Sequence, residues 1–434
     1  MTPPDRAPSQ VPHLDALRAV GALAVLTTHM AFWAGALTRN GTAGILLGRL
    51  DVGVALFFVL SGFLLSRGWL VAAAGASARP GAGHYLWKRW LRIAPLAVLT
   101  TVLALALLTQ NADLTTGERV AALTLTSTFV DPGFPAGLTH FWSLAVEVHF
   151  YLLLPVLMWL ACGRRGGLRV ARVVGVLLAM AAVSLWWHLH GAAWATSGGD
   201  RGTAQWLPAY LGWFAAGIAL ALARVLLEQG RAGRVSRAAA RLAAQPGACW
   251  AMAGGLLLAS ATPIAGPVLL AAPTEGEALT RNVVYVAVAT LMVLPAALRG
   301  CDPATPVPAG SLFDALLLNP VARRLGLVSY GIFCLHLPIS HAVMHVSGWT
   351  LFEVSLPLLW VVTTLLSVAA AEVAYRVVER PALRLKAVRP LRRLRRLRRL
   401  RRRPGSLSPS DGSAGSTGPD QASDTTATTG TSAR

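Results

Sequence analysis

The stretch from Leu14 to Gly35, LDALRAVGALAVLTTHMAFWAG, decides the fold class, because it is long and apolar enough to cross a membrane as one helix. Arg18 and His29 stand eleven residues apart inside it, near one face of a helix and about 16 Å apart along its axis. Ionisable side chains are costly within a bilayer, so both residues are candidates for a functional site. The alternative is an arginine that snorkels to the membrane surface and a histidine hydrogen-bonded to a neighbouring helix.

The composition extends this interpretation to the whole chain. Of the 434 residues, 54% are hydrophobic and 13% are charged, and the mean hydropathy is +0.55, which excludes a soluble globular protein. We therefore predict an all-α, polytopic membrane protein with about ten spans. The predicted spans cover residues 13–35, 51–73, 93–110, 141–162, 170–189, 205–227, 247–271, 280–298, 326–346 and 351–376.

The distribution of lysine and arginine predicts the orientation of these spans. The loops after the even-numbered spans carry 17 basic residues and the loops after the odd-numbered spans carry five. Basic residues concentrate in cytoplasmic loops, so we expect both termini in the cytoplasm of a multi-pass cell-membrane protein.

Four regions follow from this pattern. Residues 1–12 form a cytoplasmic N-terminal segment, 13–384 the membrane domain, 385–403 a basic juxtamembrane arm and 404–434 a disordered cytoplasmic tail rich in small and polar residues. Twelve basic residues and no acidic ones lie between Arg384 and Arg403, and we expect them to contact anionic lipid head groups. We do not expect nucleic acid as a partner.

Depth in the membrane relates His29 to a carboxylate on another span. With the predicted orientation, His29 lies in the outer half of the first span and Glu147 lies at a similar depth in the fourth. An imidazole beside a carboxylate is suited to general-base catalysis. The alternatives are an interhelical hydrogen bond or a transport path lined by Arg18, His29, Glu147 and His336.

Six motifs occur in a fixed order along the chain. They are Leu14-Asp15-Ala16-Leu17-Arg18 with His29, Asp51-Val52-Gly53-Val54 with Phe57-Phe58-Val59-Leu60-Ser61-Gly62-Phe63, Lys88-Arg89-x-x-Arg92, Phe141-Trp142-Ser143-Leu144-x-x-Glu147, Ser329-Tyr330-Gly331-Ile332-Phe333-x-x-His336, and Val378-Glu379-Arg380-Pro381. Together they resemble the acyltransferase-3 family of integral membrane O-acyltransferases, over residues 13 to about 384.

The resemblance implies an enzyme that transfers an acyl group, most simply acetyl, from acyl-CoA to a hydroxyl of a carbohydrate, lipid-linked glycan or glycosylated small molecule. His29 would be the catalytic base, Arg18 would orient it or contact the donor, and Glu147 would be the matching acid. Arg89, Arg92 and Lys88 would bind the nucleotide end of the donor, which is a co-substrate and not a permanently bound cofactor.

Further expectations concern the substrate and a metal. We expect Ser61, Trp142, His336 and Asp51 to contact substrate, although the Ser61–Gly62 pair is also typical of close helix packing. His341 and His345 are four residues apart, as metal ligands on a helix can be, but no carboxylate or cysteine joins them and no Cys-x-x-Cys spacing occurs, so no metal is expected. A macrolide-type natural product could replace the carbohydrate, and a proton-coupled transporter or a lipid-anchored scaffold is the alternative from another class.

Overall fold

The computed structural model describes residues 12–130, 133–163, 167–191, 203–268, 273–305, 307 and 311–387, and these ranges contain helices and no strand. They belong to one compact unit. The predicted N-terminal segment lies outside the described residues except for Pro12, and so do the basic arm beyond Ala387 and the whole 404–434 tail. The α-helices are α1 (Pro12–Trp33), α2 (Ala36–Arg39), α3 (Gly41–Gly48), α4 (Gly53–Ala73), α5 (Ala82–Leu107), α6 (Thr116–Thr124), α7 (Phe141–Cys162), α8 (Val170–Trp186), α9 (Leu207–Glu228), α10 (Arg234–Ala243), α11 (Pro246–Ser260), α12 (Glu275–Leu298), α13 (Leu312–Leu318), α14 (Pro320–Ser347), α15 (Leu356–Ala374) and α16 (Arg380–Arg384).

Helix starts follow local sequence signals. Thr115 and Thr274 each form a capping box with a glutamate three residues later, at the starts of α6 and α12. Asn319 caps α14 through its side chain, and Pro320 occupies the first position of that helix, where no backbone N–H is needed.

Within the described residues, nine helices or continuous helical stretches are long and apolar enough to cross a membrane, and a bent pair would make ten. Nine of the ten predicted spans correspond to such a helix. The chain is therefore an all-α, multi-pass membrane protein, as the sequence predicts.

The predicted seventh span, 247–271, differs from the observed structure. Helix α11 ends at Ser260 after 15 residues, about 22 Å, which is shorter than a hydrocarbon core. Pro263 follows, and Gly266 adopts a positive φ of 73°, so the chain cannot continue as a helix. Helix α10 precedes α11 at an angle of 92° and carries Arg234, Arg237 and Arg241.

Two other spans extend beyond the apolar windows. Helix α5 starts at Ala82, eleven residues before the predicted start, because Lys88, Arg89 and Arg92 lower the hydropathy without breaking the helix. The last span continues past α15 through a π-helical turn, Tyr375–Glu379, into α16. Both extensions bring charged residues to the end of the bundle where the donor is expected.

Close packing of α4 against α9 fixes the interior of the bundle. A Cβ on Gly217 would lie 2.1 Å from the carbonyl oxygen of Val59, and one on Gly62 would lie 2.3 Å from that of Phe214. Only glycine permits this approach of two backbones. The packing alternative given for the Ser61–Gly62 pair is thereby confirmed, and Ser61 is held on the face of α4 that adjoins the site.

A polar cluster outside the spans links three helices. Asp314 on α13 accepts two hydrogen bonds from Arg299 at 2.7 and 2.8 Å, and its carboxylate is 2.9 Å from the ring of His13 at the start of α1. Burial alone would raise the pKa of Asp314, but the hydrogen bonds from Arg299, His13 and Ser311 outweigh it and lower the pKa to about 2. Asp314 therefore carries its charge at neutral pH.

Candidate active site

Three histidines from three parts of the chain meet in the bundle. His29 lies on α1, His140 precedes α7 and His336 lies on α14. The ring of His336 is 5.1 Å from that of His29 and 4.6 Å from that of His140, and the rings of His29 and His140 are 6.3 Å apart. His336 and His140 are 0% and 2% exposed, whereas His29 retains part of its exposed surface.

The hydrogen bonds around His336 fix the roles of the ring nitrogens. Its Nδ1 lies 2.7 Å from the carbonyl oxygen of Phe333 and 3.3 Å from that of Ile332, so Nδ1 carries the proton and donates it. Its Nε2 then accepts from Nδ1 of His29, 3.1 Å away. This arrangement leaves Nε2 of His29 unprotonated, which is the state a general base requires.

His140 offers a second unpaired nitrogen. Its Nε2 lies 3.3 Å from the carbonyl oxygen of Cys334, while its buried Nδ1 has no hydrogen-bond partner among the described residues. An unsatisfied buried acceptor is costly, so this atom is suited to a hydrogen bond from a ligand.

The predicted pairing of His29 with Glu147 is not observed. His140, rather than Glu147, lies at the level of His29, and Glu147 lies seven residues, or about 10 Å, further along α7. The estimate of depth failed because it was counted from span ends assigned by hydropathy alone. Glu147 instead accepts hydrogen bonds from the hydroxyls of Ser61 and Tyr151, the latter at 2.6 Å.

A cleft with about 760 Å³ of empty space lies beside this carboxylate, and we call it the arginine cleft. Three arginines line it: Arg18 from α1, and Arg89 and Arg92 from α5. The structure therefore brings together residues from the first, third and fourth spans that the sequence separates widely. Its other lining residues are Val54, Phe57, Phe58, Ser61, Leu64, Leu65, Ile93, Ser143, Leu144, Glu147, Tyr151, Tyr330 and Phe333.

The three arginines have different partners. Arg18 donates to Asp15 at 2.9 Å, and Arg92 is 2.5 Å from Glu379, with its guanidinium 5.5 Å from the centre of the Tyr330 ring. Arg89 forms no ion pair within the described residues, and its buried Nε has no hydrogen-bond partner there. Arg89 is therefore the arginine that is most available to an anionic ligand.

Lys88 does not line the arginine cleft, but it belongs to a group of basic residues in the first turns of α5. Lys386, in a turn after α16, packs near Lys88, Arg89 and Arg92. Partial burial, followed by the repulsion of these three cations, lowers the pKa of Lys386 to about 8. Such a group of like charges favours binding of an anion.

The remaining predicted substrate residues are divided between two places. His336 contacts His29 and has no exposed surface, so it is placed to position His29 rather than to touch a substrate. Asp51 and Trp142 line a second cleft, together with Tyr210, Trp213 and Arg281. We call this second cleft the aromatic cleft.

Sequence reasoning missed several contributors to the site. Tyr151, Glu379 and His140 were assigned no role in the site, and Lys386 was predicted only to contact anionic lipid head groups with the other basic residues of its segment. Tyr151 lies one helical turn after Glu147, which is a readable signal for a shared face. The contacts of Glu379 and Lys386 with α5 have no such local signal. No group of three or more histidine, cysteine or acidic side chains in the described part of the chain is arranged to hold a metal ion.

Comparison with known proteins gives the family. The model of the acyltransferase-3 family, described as an acyltransferase domain, matches residues 11–376. The chain is 31% identical over 193 residues to YrhL of Bacillus subtilis (strain 168), named as a candidate peptidoglycan O-acetyltransferase, with 40% of this chain and 28% of YrhL covered. It is 33% identical over 184 residues to Nodulation protein 10 of Rhizobium leguminosarum bv. viciae, with 37% and 48% covered.

The chain thus aligns with less than half the length of each of these relatives. No solved structure has a significant match to it. The family match, in contrast, spans the first to the last membrane helix and includes His29, both arginines of α5, Glu147 and His336. The chain therefore belongs to the acyltransferase-3 family, and its membrane helices form an acyltransferase domain.

Proposed function

We propose that this protein transfers an acetyl group from acetyl-CoA to a hydroxyl of a carbohydrate acceptor, with His29 as the general base. The observation that carries the proposal is the hydrogen-bonded series from the Phe333 carbonyl through His336 to His29. It leaves a lone pair on Nε2 of His29, the one histidine of the three that retains exposed surface. The name of the relative YrhL supports a carbohydrate acceptor.

The arginine cleft is suited to the donor. Its three guanidiniums and the adjacent Lys386 can bind the phosphates of coenzyme A by charge-assisted hydrogen bonds. Phe333 lines this cleft and also packs its ring 5.1 Å from that of His140. The thioester of a donor bound in the cleft therefore has to pass Phe333 to reach His29.

The reaction follows as one transfer. Nε2 of His29 takes the proton of the acceptor hydroxyl while its oxygen attacks the thioester carbonyl. The new carbon–oxygen bond forms, the carbon–sulfur bond breaks, and the thiolate of coenzyme A recovers the proton from the imidazolium. Glu147 does not contact His29, so we assign it to the donor cleft, where it holds the hydroxyls of Ser61 and Tyr151.

Release of free thiol from acetyl-CoA by the protein in lipid vesicles tests the proposal. A panel of neutral sugars, glycosylated lipids and a macrolide is offered to the wild type, to His29→Ala and to the control His345→Ala. His345 lies at the exposed end of α14. We expect acceptor-dependent release that falls about 10²–10⁴-fold in His29→Ala only.

Two outcomes contradict the proposal in different ways. Full activity of His29→Ala would remove His29 from the mechanism while leaving acyl transfer in place. No thiol release with any acceptor, together with no binding of acetyl-CoA, would overturn acyl transfer itself and favour the transporter.

A further inference from the structure

The aromatic cleft lies at the start of α4, whereas the arginine cleft extends further along this helix. Asp51 immediately precedes α4 and lines the aromatic cleft, whereas Ser61, Leu64 and Leu65, two to four turns further on, line the arginine cleft. Val54 lines both clefts. The two spaces are therefore neighbours that share one wall.

The start of α7 also contributes residues to both clefts. Trp142 lines the aromatic cleft, and the next two residues, Ser143 and Leu144, line the arginine cleft. His140, two residues before Trp142, belongs to the histidine cluster. A ligand in each cleft would thus lie on either side of the same helical turn, which directly follows a residue of the histidine cluster.

The walls of the aromatic cleft combine flat rings with polar groups. The ring of Tyr210 lies 5.3 Å from that of Trp142 and 4.8 Å from that of Trp213. Asp51 accepts a hydrogen bond from the hydroxyl of Tyr285. Arg281 lines the same space and forms no ion pair within the described ranges.

These groups match the chemistry of a sugar. A pyranose ring has apolar faces of C–H groups, which suit the electron-rich faces of aromatic rings, and a rim of hydroxyls that both donate and accept. The carboxylate of Asp51 accepts hydrogen bonds, and the guanidinium of Arg281 donates them. The cleft contains about 980 Å³ of empty space, which accommodates at least one such ring.

The charges of the two clefts distinguish their ligands. Three arginines line the arginine cleft against the single carboxylate of Glu147, which favours a multiply charged anion such as coenzyme A. One arginine and one aspartate line the aromatic cleft, so their charges balance and favour a neutral ligand. The donor and the acceptor would therefore bind in different clefts because their charges differ.

We propose that the aromatic cleft is the acceptor site and binds a neutral pyranose ring through Trp142, Tyr210, Asp51 and Arg281. This inference rests on the proposed function, because it assigns the acceptor of that reaction. Residues of α9 and α12, which carry none of the family-like motifs of the sequence, thereby become determinants of acceptor choice.

Isothermal titration of the full-length protein in lipid nanodiscs tests the assignment without requiring turnover. The probes are N-acetylglucosamine and the methyl glycosides of glucose and galactose, at concentrations up to about 10 mM, and, separately, acetyl-CoA. The variants are Trp142→Leu and Arg281→Gln in the aromatic cleft, Arg89→Gln in the arginine cleft, and Trp186→Leu as a control. Trp186 is 50% exposed on α8 and lines neither cleft.

We expect Trp142→Leu and Arg281→Gln to weaken binding of at least one sugar about tenfold or more, and to leave acetyl-CoA binding unchanged. Arg89→Gln should weaken binding of acetyl-CoA and leave sugar binding unchanged. Trp186→Leu should change neither affinity. Arg281→Gln removes the positive charge but keeps a polar side chain, and it tests the site even if Trp142→Leu is unstable.

The inference is overturned if no sugar of the panel binds, or if sugar binding weakens only in Arg89→Gln. Acetyl-CoA binding with no sugar binding would refute the acceptor site and leave the proposed function standing. Sugar binding that depends on the aromatic cleft, with no thiol release from acetyl-CoA, would support the site and refute the proposed function.

Discussion

At the scale of single residues, the contact between His336 and His29 sets the protonation of the proposed base. Replacing His336 by leucine removes the acceptor for the Nδ1 proton of His29, so either nitrogen of His29 can carry the proton. We expect kcat to fall about 10–100-fold, the loss typical of a hydrogen-bonding partner that orients a reactive imidazole, while the KM for acetyl-CoA stays unchanged. His336→Gln, whose amide oxygen can accept that proton, should restore part of the rate.

Steady-state thiol release measures both parameters, and the thermal midpoint of each variant separates positioning from folding. Equal losses in His336→Leu and His336→Gln, or a rise in KM alone, would contradict the positioning role. His345→Leu on the same helix is the control.

The protonation of Lys386 should make the binding of acetyl-CoA depend on pH. Its pKa is lowered to about 8 by partial burial and by the repulsion of Arg89, Arg92 and Lys88. The lysine therefore loses its proton as the pH rises above 8 in the free protein, and a bound phosphate favours the protonated form. We expect the affinity for acetyl-CoA to decrease between about pH 8 and 10, by about tenfold for one charge-assisted hydrogen bond.

Titration of the protein in nanodiscs with acetyl-CoA across this pH range tests the prediction. Lys386→Arg should keep the affinity constant, because arginine stays protonated. Lys386→Gln should bind more weakly at pH 7 and show no further decrease. A decrease that persists unchanged in Lys386→Arg would exclude Lys386 as its source.

The sequence alone provided part of this site. Arg18, His29, Arg89, Arg92 and Glu147 stood out because charge is costly in apolar helices. The structure places His29 in the histidine cluster and the other four at the arginine cleft. The sequence could not show which residues these side chains contact. Whether His29 meets His140 or Glu147 depends on the shift of α1 against α7 by two turns, and span ends assigned from hydropathy are too uncertain to decide that.

At the scale of helices, the contact between α4 and α9 holds Ser61 at the arginine cleft. Gly217→Ala would place a Cβ 2.1 Å from the carbonyl oxygen of Val59, so the helices would have to move apart. We expect a loss of about 1–3 kcal/mol in the free energy of unfolding, measured by thermal or denaturant unfolding in detergent, and weaker binding of acetyl-CoA.

Gly175→Ala on α8 is the matched control, since a Cβ there meets no atom within 4 Å. It should be neutral or slightly stabilising, because alanine favours a helix more than glycine does. Equal stability of Gly217→Ala and Gly175→Ala would mean that the close approach of α4 and α9 does not determine the packing.

The apolar windows predicted the helices but not where they end. The first eleven residues of α5 were missed because three basic residues lowered the hydropathy, although lysine and arginine are good helix formers. These missed turns carry Arg89 and Arg92 into the arginine cleft. Hydropathy thus failed at the point where a helix leaves the apolar core and carries two arginines to the arginine cleft.

At the scale of the whole molecule, the contacts between α1 and α14 bear on how often the chain crosses the membrane. His13 at the start of α1 lies beside Asp314, just before α14, and His29 further along α1 contacts His336, so the two helices run in the same direction. The excess of basic residues in alternate loops predicts ten crossings with both termini in the cytoplasm. In that case, Gly233 before α10 and Gly276 at the start of α12 lie on opposite sides. If the bent pair α10–α11 did not cross, they would lie on the same side, and α14 would run opposite to α1, which the contact of His13 with Asp314 contradicts.

Single cysteines at these two positions, in a variant whose four native cysteines are replaced by alanine, distinguish the two topologies. Neither site is crowded, because a Cβ added at Gly233 or at Gly276 meets no atom within 4 Å. We expect a membrane-impermeant maleimide added to intact cells to label Gly276→Cys and to label Gly233→Cys only after the cells are opened. Glycine-to-cysteine at Gly81, in the predicted cytoplasmic loop before α5, is the control for cell integrity.

The result also bears on the two clefts. His336 on α14 faces His29, and Asp314 faces His13, only when α14 runs parallel to α1, as the ten-span topology requires. Arg281 on α12 lines the aromatic cleft near Asp51, and the proposed donor, acetyl-CoA, would enter the arginine cleft from the cytoplasm. Labelling of Gly276→Cys in intact cells would place the aromatic cleft towards the outer surface, as an acceptor outside the cell requires. Labelling of both cysteines only in opened cells would contradict the ten-span topology and would require an acceptor that is acetylated inside the cell.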